Sequence, residues 1–282
     1  MMPELIRDEQ VFPLGEITSA EVGLRLTSGA LRVRGGAAEF CEAVFEYSHP
    51  ELKPEVAFES DGGEAELIVK QPRFDTTEHK EVHWELAFNN DVQIELEVQS
   101  ASGGVDLDLT ELRPRGVEVD SASGEVSVRL GGANPELDEV TVESKSGSVE
   151  LDLNGEFPAL ERLEVDSMSG KVRIAVACAC PELGRIAVDS KSGAVEVDLS
   201  AGTFGRDDLG VRVESVSGKI NVTLPEGVGA SLQANVLSGQ IRAEGFERSE
   251  GGRKVNAAFG TTPATIWLNL SAVSGSINVR TA

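Results

Sequence analysis

The sequence predicts an all-β, single-domain parallel β-solenoid of about ten coils, with Ser-Gly turns and irregular N- and C-terminal caps. Three observations predict it. A turn phrase of the form Ser-x-Ser-Gly recurs along the chain, apolar and polar residues alternate on both sides of it, and successive copies are similarly spaced. The copy VESKSGSVELDL, for example, is followed by VDSMSGKVRIAV and VDSKSGAVEVDL, whose glycines Gly147, Gly170 and Gly193 are 23 residues apart.

Each copy predicts two strands joined by a corner. Val or Ile stands two residues after every corner glycine, and apolar residues precede it at five and seven residues in most copies. This period of two predicts a strand with one buried face on each side of the corner. Glycine permits the positive φ or close approach that a tight corner needs, and we expect the serines to hydrogen-bond to the turn backbone. The corner glycines are Gly103, Gly124, Gly147, Gly170, Gly193, Gly218, Gly239 and Gly275.

Two repeat architectures have periods of this length. A leucine-rich repeat needs a helical segment in each repeat, and two strands leave too few residues for one. Coils that stack with parallel strands about 4.8 Å apart fit better. The connectors Pro135–Leu137, Pro158–Leu160 and Pro181–Leu183 share a Pro-x-Leu pattern, whose leucine we expect to point inwards.

Residues 1–95 carry a less regular version of the pattern and are expected to form irregular coils and a cap, continuous with the regular coils of residues 96–282. VGLRLTSGALRV around Gly29 and VAFESDGGEAELIV around Gly63 predict two further coils. HWELAFNNDVQIELEV is expected to add a strand with Trp84 and Phe88 buried. The irregular start and FGTTPATIWLNL near the C-terminus are expected to cap the open ends of the solenoid.

Three stretches together resemble a known family: ALRVRGGAAEFCEAVFEYSHPELKPEVAFES, HWELAFNNDVQIELEV and the serial Ser-Gly turns. They look like the bacterial domain of unknown function called toast-rack, which is grouped with the putative-adhesin β-solenoid families. The resemblance covers nearly the whole chain. It implies an interaction scaffold, similar to domains of cell-envelope stress regulators, with no catalytic motif. Many family members also carry a membrane segment or a small helical module, and this sequence shows neither.

Charge and composition exclude several classes of partner. The net charge of −23 argues against nucleic acid, because phosphate binding needs a basic surface. No apolar run approaches the length of a membrane span, and no basic start precedes an apolar run, so we expect no direct membrane insertion and a cytoplasmic location. The odd cysteine count fits a reducing compartment. Cys178 and Cys180 are expected to be incidental thiols in a connector rather than half a metal site or a redox pair.

One candidate surface is an acidic column, formed by the residue four positions before the corner glycine in five successive coils. If the coils stack in register, neighbouring carboxylates repel each other by roughly 0.9 kcal/mol in water. A cation-binding rail is one interpretation, since calcium takes carboxylate oxygens. The favoured one is that each carboxylate accepts turn amides and faces water, aided by Lys145 and Lys191, because the calcium-solenoid pattern Gly-Gly-x-Gly-x-Asp is missing. The acidic column comprises Asp120, Glu143, Asp166, Asp189 and Glu214.

A second candidate surface, here called the docking face, lies on the strands after the corner. Its outward carboxylates alternate with arginines such as Arg129, Arg173 and Arg242, which suits docking of a protein or a glycan, or a merely solvated face. A sugar site usually needs a row of exposed aromatics, and none is evident. His79 and His83 have zinc-like spacing, but Lys-Glu-Val separates them and the flanks suggest a strand. The docking face comprises Asp106, Asp108, Glu150, Asp152, Glu196 and Asp198.

The function predicted from these observations is a non-enzymatic interaction scaffold with a protein partner, in cell-envelope stress signalling if the family resemblance holds for function. An adhesin-like surface or glycan-binding module is the alternative. A glycan-acting enzyme is third, because the paired carboxylates recur in several coils whereas a catalytic site should interrupt the repeat, and no nucleophile elbow or phosphate loop occurs. No catalytic residue, metal or cofactor is assigned. Unpaired strand edges at the solenoid ends also allow a homo-oligomer.

Overall fold

The computed structural model describes residues 5–73 and 80–282, and in these residues it contains one 23-stranded sheet and a short 3₁₀ helix, Pro50–Leu52. The sheet winds into a parallel β-solenoid, which confirms the predicted fold class. The N-terminal strands are β1 (Ile6–Phe12), β2 (Ser19–Leu26), β3 (Ala30–Gly35), β4 (Cys41–Tyr47), β5 (Glu55–Asp61), β6 (Glu64–Lys70) and β7 (Val82–Phe88).

The regular coils alternate between two sides of the solenoid. Face A is formed by the strands that precede each corner: β8 (Gln93–Ser100), β10 (Arg113–Ser121), β12 (Glu139–Ser144), β14 (Arg162–Ser167) and β16 (Arg185–Ser192). Face B is formed by those that follow it: β9 (Val105–Leu109), β11 (Val126–Ala133), β13 (Val149–Glu156), β15 (Val172–Cys180) and β17 (Val195–Asp198). The C-terminal strands are β18 (Thr203–Phe204), β19 (Leu209–Leu224), β20 (Gly229–Ala243), β21 (Arg248–Glu250), β22 (Arg253–Val255) and β23 (Thr265–Thr281).

Successive coils pair in parallel with equivalent residues side by side. On face A, Val119 lies opposite Val142, and Val142 lies opposite Val165. These inward valines are fully buried and form part of a continuous core of Val, Ile and Leu. Leu137, Leu160 and Leu183 of the three connectors are also fully buried, as the Pro-x-Leu pattern predicts.

The corner glycines stack directly on one another, so there is no room for a side chain between coils. A Cβ atom on Gly147 would lie 1.8 Å from the carbonyl oxygen of Gly124, and its φ of +128° is one that other residues rarely adopt. The serine prediction is wrong for the first serine of the phrase. Its hydroxyl is buried and has no hydrogen-bond partner in Ser100, Ser121, Ser144, Ser167, Ser190 and Ser215.

The N-terminal end differs from the prediction at one of its two coils. Gly29 does form a corner, because Gly103 packs against its carbonyl oxygen. The segment around Gly63 is instead a hairpin in which β5 and β6 pair antiparallel across a turn at Gly62, whose φ is +61°. Strand β6 then joins β2 in parallel. An antiparallel hairpin shows the same period of two as a coil, so the alternation alone did not distinguish them.

Aromatic packing closes this N-terminal end. The prediction that Trp84 and Phe88 are buried is confirmed, and their segment supplies both β7 and β8. Strand β7 pairs antiparallel with β4, which in turn pairs antiparallel with β1. Phe40 contacts both Phe58 and Phe88, and Phe12 contacts Phe58, so these rings pack together in the interior of this end.

At the C-terminal end the spatial order of the coils departs from the chain order. Strand β23 lies between β19 and β20 and pairs in parallel with both. The segment TIWLNL is therefore inside the stack, and the prediction that it caps the solenoid is wrong. The terminal coil is β20, which is covered in part by the hairpin of β21 and β22.

The cysteines also differ from the prediction. Cys178 and Cys180 belong to strand β15, not to a connector, and they form a disulfide. Residues two apart on a strand point to the same side, and here both side chains point into the core. Cys41 is a free, buried cysteine on β4, and burial raises the pKa of its thiol.

Candidate functional site

The five carboxylates of the acidic column lie in register on face A. Asp120 is opposite Glu143, Glu143 is opposite Asp166, Asp166 is opposite Asp189, and Asp189 is opposite Glu214. The column ends where Gln99 and Ser271 occupy the equivalent positions in the adjoining coils. The predicted stacking is thus present, and parallel pairing places neighbouring members about 4.8 Å apart at the backbone.

The surroundings of the acidic column do not match the favoured interpretation of it. Within residues 5–73 and 80–282, no hydrogen bond or ion pair reaches the carboxylates of its first four members, and Lys145 and Lys191 form no ion pair. Only Glu214 is paired, with Arg212 at 2.9 Å. The hydrogen bond from Arg212 lowers the pKa of Glu214. Burial raises the pKa of Asp189, and Glu214 and Asp166 raise it further against the opposing effect of Arg212.

An acidic groove adjoins this column on face A. Its one basic lining residue is Arg25, and the carboxylates that line it are Glu21, Glu66, Glu95, Glu97, Glu118, Asp138, Glu139 and Glu164. Glu118 lies at its centre, beside the column. Burial raises the pKa of Glu118, and the carboxylates of Asp120, Glu97, Glu143 and Glu139 raise it further. Four of the eight lining carboxylates form ion pairs, Glu95 with Arg115, Glu97 with Arg25, Glu139 with Arg162 and Glu164 with Arg185, and the other four have none in the described residues. The groove therefore keeps a net negative charge.

The acidic groove was not predicted, although the sequence carries a signal for it. Glu97, Glu118 and Glu164 all stand six residues before a corner glycine, so they share an outward position on face A. This row runs parallel to the acidic column, two residues earlier in each coil. The prediction used only the outward position four residues before each corner glycine, so it did not include the row at six residues.

The docking face lies on face B, on the other side of the solenoid, and most of its carboxylates are neutralised. Asp106 contacts Arg129 at 2.8 Å and Arg32 at 3.2 Å. Arg129 also reaches Asp108 at 3.5 Å. The hydrogen bond from the Thr110 hydroxyl lowers the pKa of Asp108 most, and Arg129 lowers it further.

The same pairing continues along face B. Arg173 forms ion pairs with Glu150 and Asp152, and Lys171 contacts Glu196 at 3.1 Å. The carboxylate of Asp198 accepts a hydrogen bond from the Ser200 amide at 3.0 Å. Positive and negative side chains thus alternate from coil to coil. The 23-residue spacing that separates Arg129 from Asp106, and Arg173 from Glu150, is the signal that predicts these pairs.

The two candidate surfaces therefore differ in how their charge is balanced. Five of the six docking-face carboxylates have an ion pair, and one of the five column carboxylates has one. Exposed ion pairs contribute little to stability, but they cancel the field that a charged partner would meet. On face A, four groove glutamates are also paired with arginines: Glu95, Glu97, Glu139 and Glu164. The unpaired carboxylates of face A in the described residues are therefore the first four members of the acidic column and Glu21, Glu66, Glu118 and Asp138 of the groove.

Across the two described stretches, no group of three or more His, Cys, Asp and Glu side chains is arranged to hold a metal ion. His79 lies outside the described residues, and His83 is an exposed residue of strand β7 that contacts Glu81 at 3.2 Å. None of the helical structure in the described part of the chain is long and apolar enough to cross a bilayer.

The sequence matches a known protein family. Residues 3–152, just over half of the 282, match the family model for the N-terminal domain of toast_rack, DUF2154. The chain belongs to this family. The match begins near the start of the chain and ends within β13, so in this toast_rack protein it takes in the aromatic N-terminal end and the first regular coils. Among curated proteins, none matches the chain.

Several solved structures resemble this toast_rack protein over almost its whole length. A putative cell adhesion protein from Clostridium sporogenes is 18% identical, with a TM-score of 0.32, and the match covers 99% of this chain and 100% of that one. A putative adhesin from Bacteroides fragilis is 12% identical, with a TM-score of 0.49 and coverage of 98% and 97%. One from Parabacteroides distasonis is 12% identical, with a TM-score of 0.44 and coverage of 98% of both. At these values the likeness assigns no activity to this chain.

Proposed function

We propose that this protein is a non-enzymatic interaction scaffold whose face A binds a protein partner through a basic segment. The observation that carries the proposal is the acidic groove, in which Glu118 is exposed, has no ion pair among the described residues, and lies near the carboxylates of Asp120, Glu97, Glu143 and Glu139. Such a surface attracts a cationic segment over a distance and releases the repulsion among its own carboxylates when the segment binds. Toast_rack membership is consistent with this role, since the family is known as a domain of unknown function and not by a reaction.

The geometry suits an extended partner better than a small molecule. The groove and the acidic column run across the strands of face A, so they cross several coils at intervals of about 4.8 Å. A chain with basic residues at intervals could contact several carboxylates in turn. The outward carboxylates also recur from coil to coil, as a binding surface along a repeat does, and in the part of the chain that the structure describes no single coil carries a distinct cluster of acid, base and nucleophile.

The partner we propose is a membrane-associated regulator of the cell envelope, which would give the chain a role in stress signalling. The test is a cross-linking pull-down from native cells, with the soluble and membrane fractions analysed separately. The decisive variant replaces Glu118, Asp120, Glu143 and Asp166 by Gln or Asn, which removes four charges from face A. The matched control replaces four exposed, unpaired glutamates elsewhere by Gln: Glu51, Glu111, Glu136 and Glu226.

We expect the parent protein and the control to capture the same partner from the membrane fraction, with the yield falling as salt is raised. The face A variant should lose that partner. Equal capture by both variants would contradict the role of face A. Capture of a polysaccharide in place of a protein would contradict the scaffold proposal and favour an adhesin-like surface module.

A further inference from the structure

The C-terminal end of the solenoid has an unpaired strand edge. Strand β20 pairs with β23 along one edge from Gly229 to Ala243. Along its other edge, the described residues offer it an antiparallel partner only at Ser231 and Leu232, where β22 lies. Residues 233–243 therefore present a free row of backbone donors and acceptors, which is an acceptor site for another strand.

The core of the terminal coil is also uncovered at this edge. The inward positions of β19 and β23 are fully buried, but Ala234, Val236 and Ala243 of β20 are only partly buried and Ile241 is 40% exposed. At the corner, Leu237 is 84% exposed. Apolar side chains gathered on a free strand edge mark a surface that gains stability when it is covered.

The N-terminal end of the solenoid is packed differently from the C-terminal end. At the N-terminal end, antiparallel strands extend the parallel coils, and packed phenylalanine rings fill the interior. The β21–β22 hairpin reaches only the first part of β20 and leaves the rest open. The N-terminal end also has edge strands, since in the described residues β1 pairs only with β4 and β5 only with β6. The two ends differ in that aromatic rings fill the interior of the N-terminal one, whereas the inward side chains of β20 remain partly exposed.

The charge of the C-terminal end indicates which kind of partner can bind to the β20 edge. The chain carries a net charge of −23, so two copies repel each other over most of their surfaces. Strand β20 contains no acidic residue and one basic residue, Arg242. A copy of the same chain can therefore approach this end without placing carboxylates against carboxylates.

The free edge also suits two-fold symmetry. It extends on both sides of the corner glycine Gly239, with residues 233–238 before the corner and residues 240–243 after it. A two-fold axis through the corner would place the segment before the corner opposite the segment after the corner of a second copy, in antiparallel orientation. Each copy would then offer the same patch and receive the same patch, as a closed dimer requires.

We propose that a second copy of this chain docks on the C-terminal end, so that two solenoids join tail to tail through antiparallel pairing of their β20 edges. The pairing covers Ile241, Val236 and Leu237 and satisfies the backbone groups of residues 233–243. Face A stays exposed on the outside of the dimer, so this association and the binding of a basic partner are independent.

The test is the mass of the full chain in solution by light scattering, at about 1 to 100 µM, a range that spans typical dimer affinities. A dimer has twice the 29.9 kDa of the chain. The decisive variant is Leu237→Lys with Ile241→Lys, which puts two charges on the edge at exposed positions. The matched control is Val11→Lys, because Val11 is 63% exposed on β1 at the opposite end. We expect a dimer for the parent and the control and a monomer for the decisive variant.

A monomeric parent at 100 µM would overturn the proposal, and so would a dimer that survives in the decisive variant. Hydrogen exchange adds a readout that locates the interface. The backbone amides of residues 233–243 should exchange at least ten times more slowly at the high concentration than at the low one, whereas the amides of β1 should not change. Fast exchange of residues 233–243 in a sample that is dimeric by mass would place the interface elsewhere and contradict the inference.

Discussion

The corner glycine Gly239 stacks on Gly275, although Gly275 comes 36 residues later in the chain. A Cβ atom on Gly239 would lie 1.6 Å from the carbonyl oxygen of Gly275. Gly275 in turn lies against Gly218, with the equivalent distance at 1.7 Å. The three corners are therefore ordered by packing and not by sequence, and the contact between their backbones is too close for any other residue.

This contact predicts a large effect for Gly147→Ala in the middle of the stack. The new methyl group would overlap the carbonyl of Gly124 and alanine would be strained at a φ of +128°. We expect a loss of at least about 3 kcal/mol in the free energy of unfolding, measured by urea denaturation. Gly210→Ala is the control, because its nearest atom would be 3.6 Å away; it should change stability by less than about 1 kcal/mol. Equal effects at the two sites would show that the corner is not closely packed.

The buried serine hydroxyls predict a neutral or favourable substitution. Ser167→Ala removes a hydroxyl that has no partner, so we expect the free energy of unfolding to stay constant or to rise by up to about 2 kcal/mol. Ser231→Ala is the matched control, because the equally buried hydroxyl of Ser231 accepts a hydrogen bond from Arg253 at 2.8 Å. It should lose about 1 to 2 kcal/mol. A clear loss for Ser167→Ala would mean that its hydroxyl does have a partner.

Arg253 is predicted to hold the terminal hairpin in place. Its guanidinium donates to the Leu268 carbonyl at 2.8 Å and to the Gln233 side chain at 2.9 Å, and it lies 5.5 Å from the centre of the Trp267 ring. We expect Arg253→Ala to lower stability by about 2 kcal/mol and to speed proteolysis within residues 244–256. Arg248→Ala, which removes only an exposed pair with Glu250, should cost less than about 0.5 kcal/mol. Cleavage of both Arg253→Ala and Arg248→Ala at the rate of the parent protein would contradict the predicted role of Arg253.

Two aspartates are predicted to respond to pH in opposite directions. Burial raises the pKa of Asp189, so the folded state holds this proton more tightly, and ionisation above that pKa costs stability. Asp189→Asn should therefore be more stable than the parent at about pH 7, with the gain vanishing below about pH 3, where the aspartate is protonated in both states.

The pKa of Asp108 is shifted in the opposite direction to that of Asp189. The Thr110 hydrogen bond lowers the pKa of Asp108, so its charge stabilises the fold above the unfolded pKa, and this is lost as the pH falls through the folded pKa. Asp108→Asn should be less stable than the parent at about pH 7, and the difference should shrink in acid. Each effect should be below about 1 kcal/mol, as for exposed pairs. Urea midpoints between pH 3 and pH 8 measure both, and effects of the same sign would contradict the assignment.

Much of the fold could be predicted because the repeat determines it. Alternation with a period of two identifies the inward residues, and the recurring glycine identifies the corner, so Val119, Val142 and Gly147 all take their predicted places. The same alternation does not reveal strand direction, which is why the Gly63 hairpin resembled a coil. The order of the last corners could not be read either, since Gly239 and Gly275 sit in nearly identical phrases and three-dimensional packing decides which lies against Gly218.

The positions of the two predicted surfaces follow from the repeat, whereas their charge balance becomes visible only when adjoining coils are compared. The register that aligns Asp120 with Glu143 follows from the repeat length. Whether a carboxylate is neutralised depends on a neighbour in the adjoining coil, as for Asp106 and Arg129, and a single repeat unit does not show this. The disulfide of Cys178 and Cys180 was missed because their segment was assigned to a connector; in a strand the two side chains point to the same side.

The place of β23 between β19 and β20 has a consequence for biosynthesis. Strand β23 ends one residue before the C-terminus, and its seventeen residues supply the parallel neighbour of β20. While the ribosome is still extending the chain, β20 has been made but the strand it must join has not. The final coil can therefore assemble only after β23 has been synthesised and has left the ribosome, whereas the earlier coils already have their neighbours on the nascent chain.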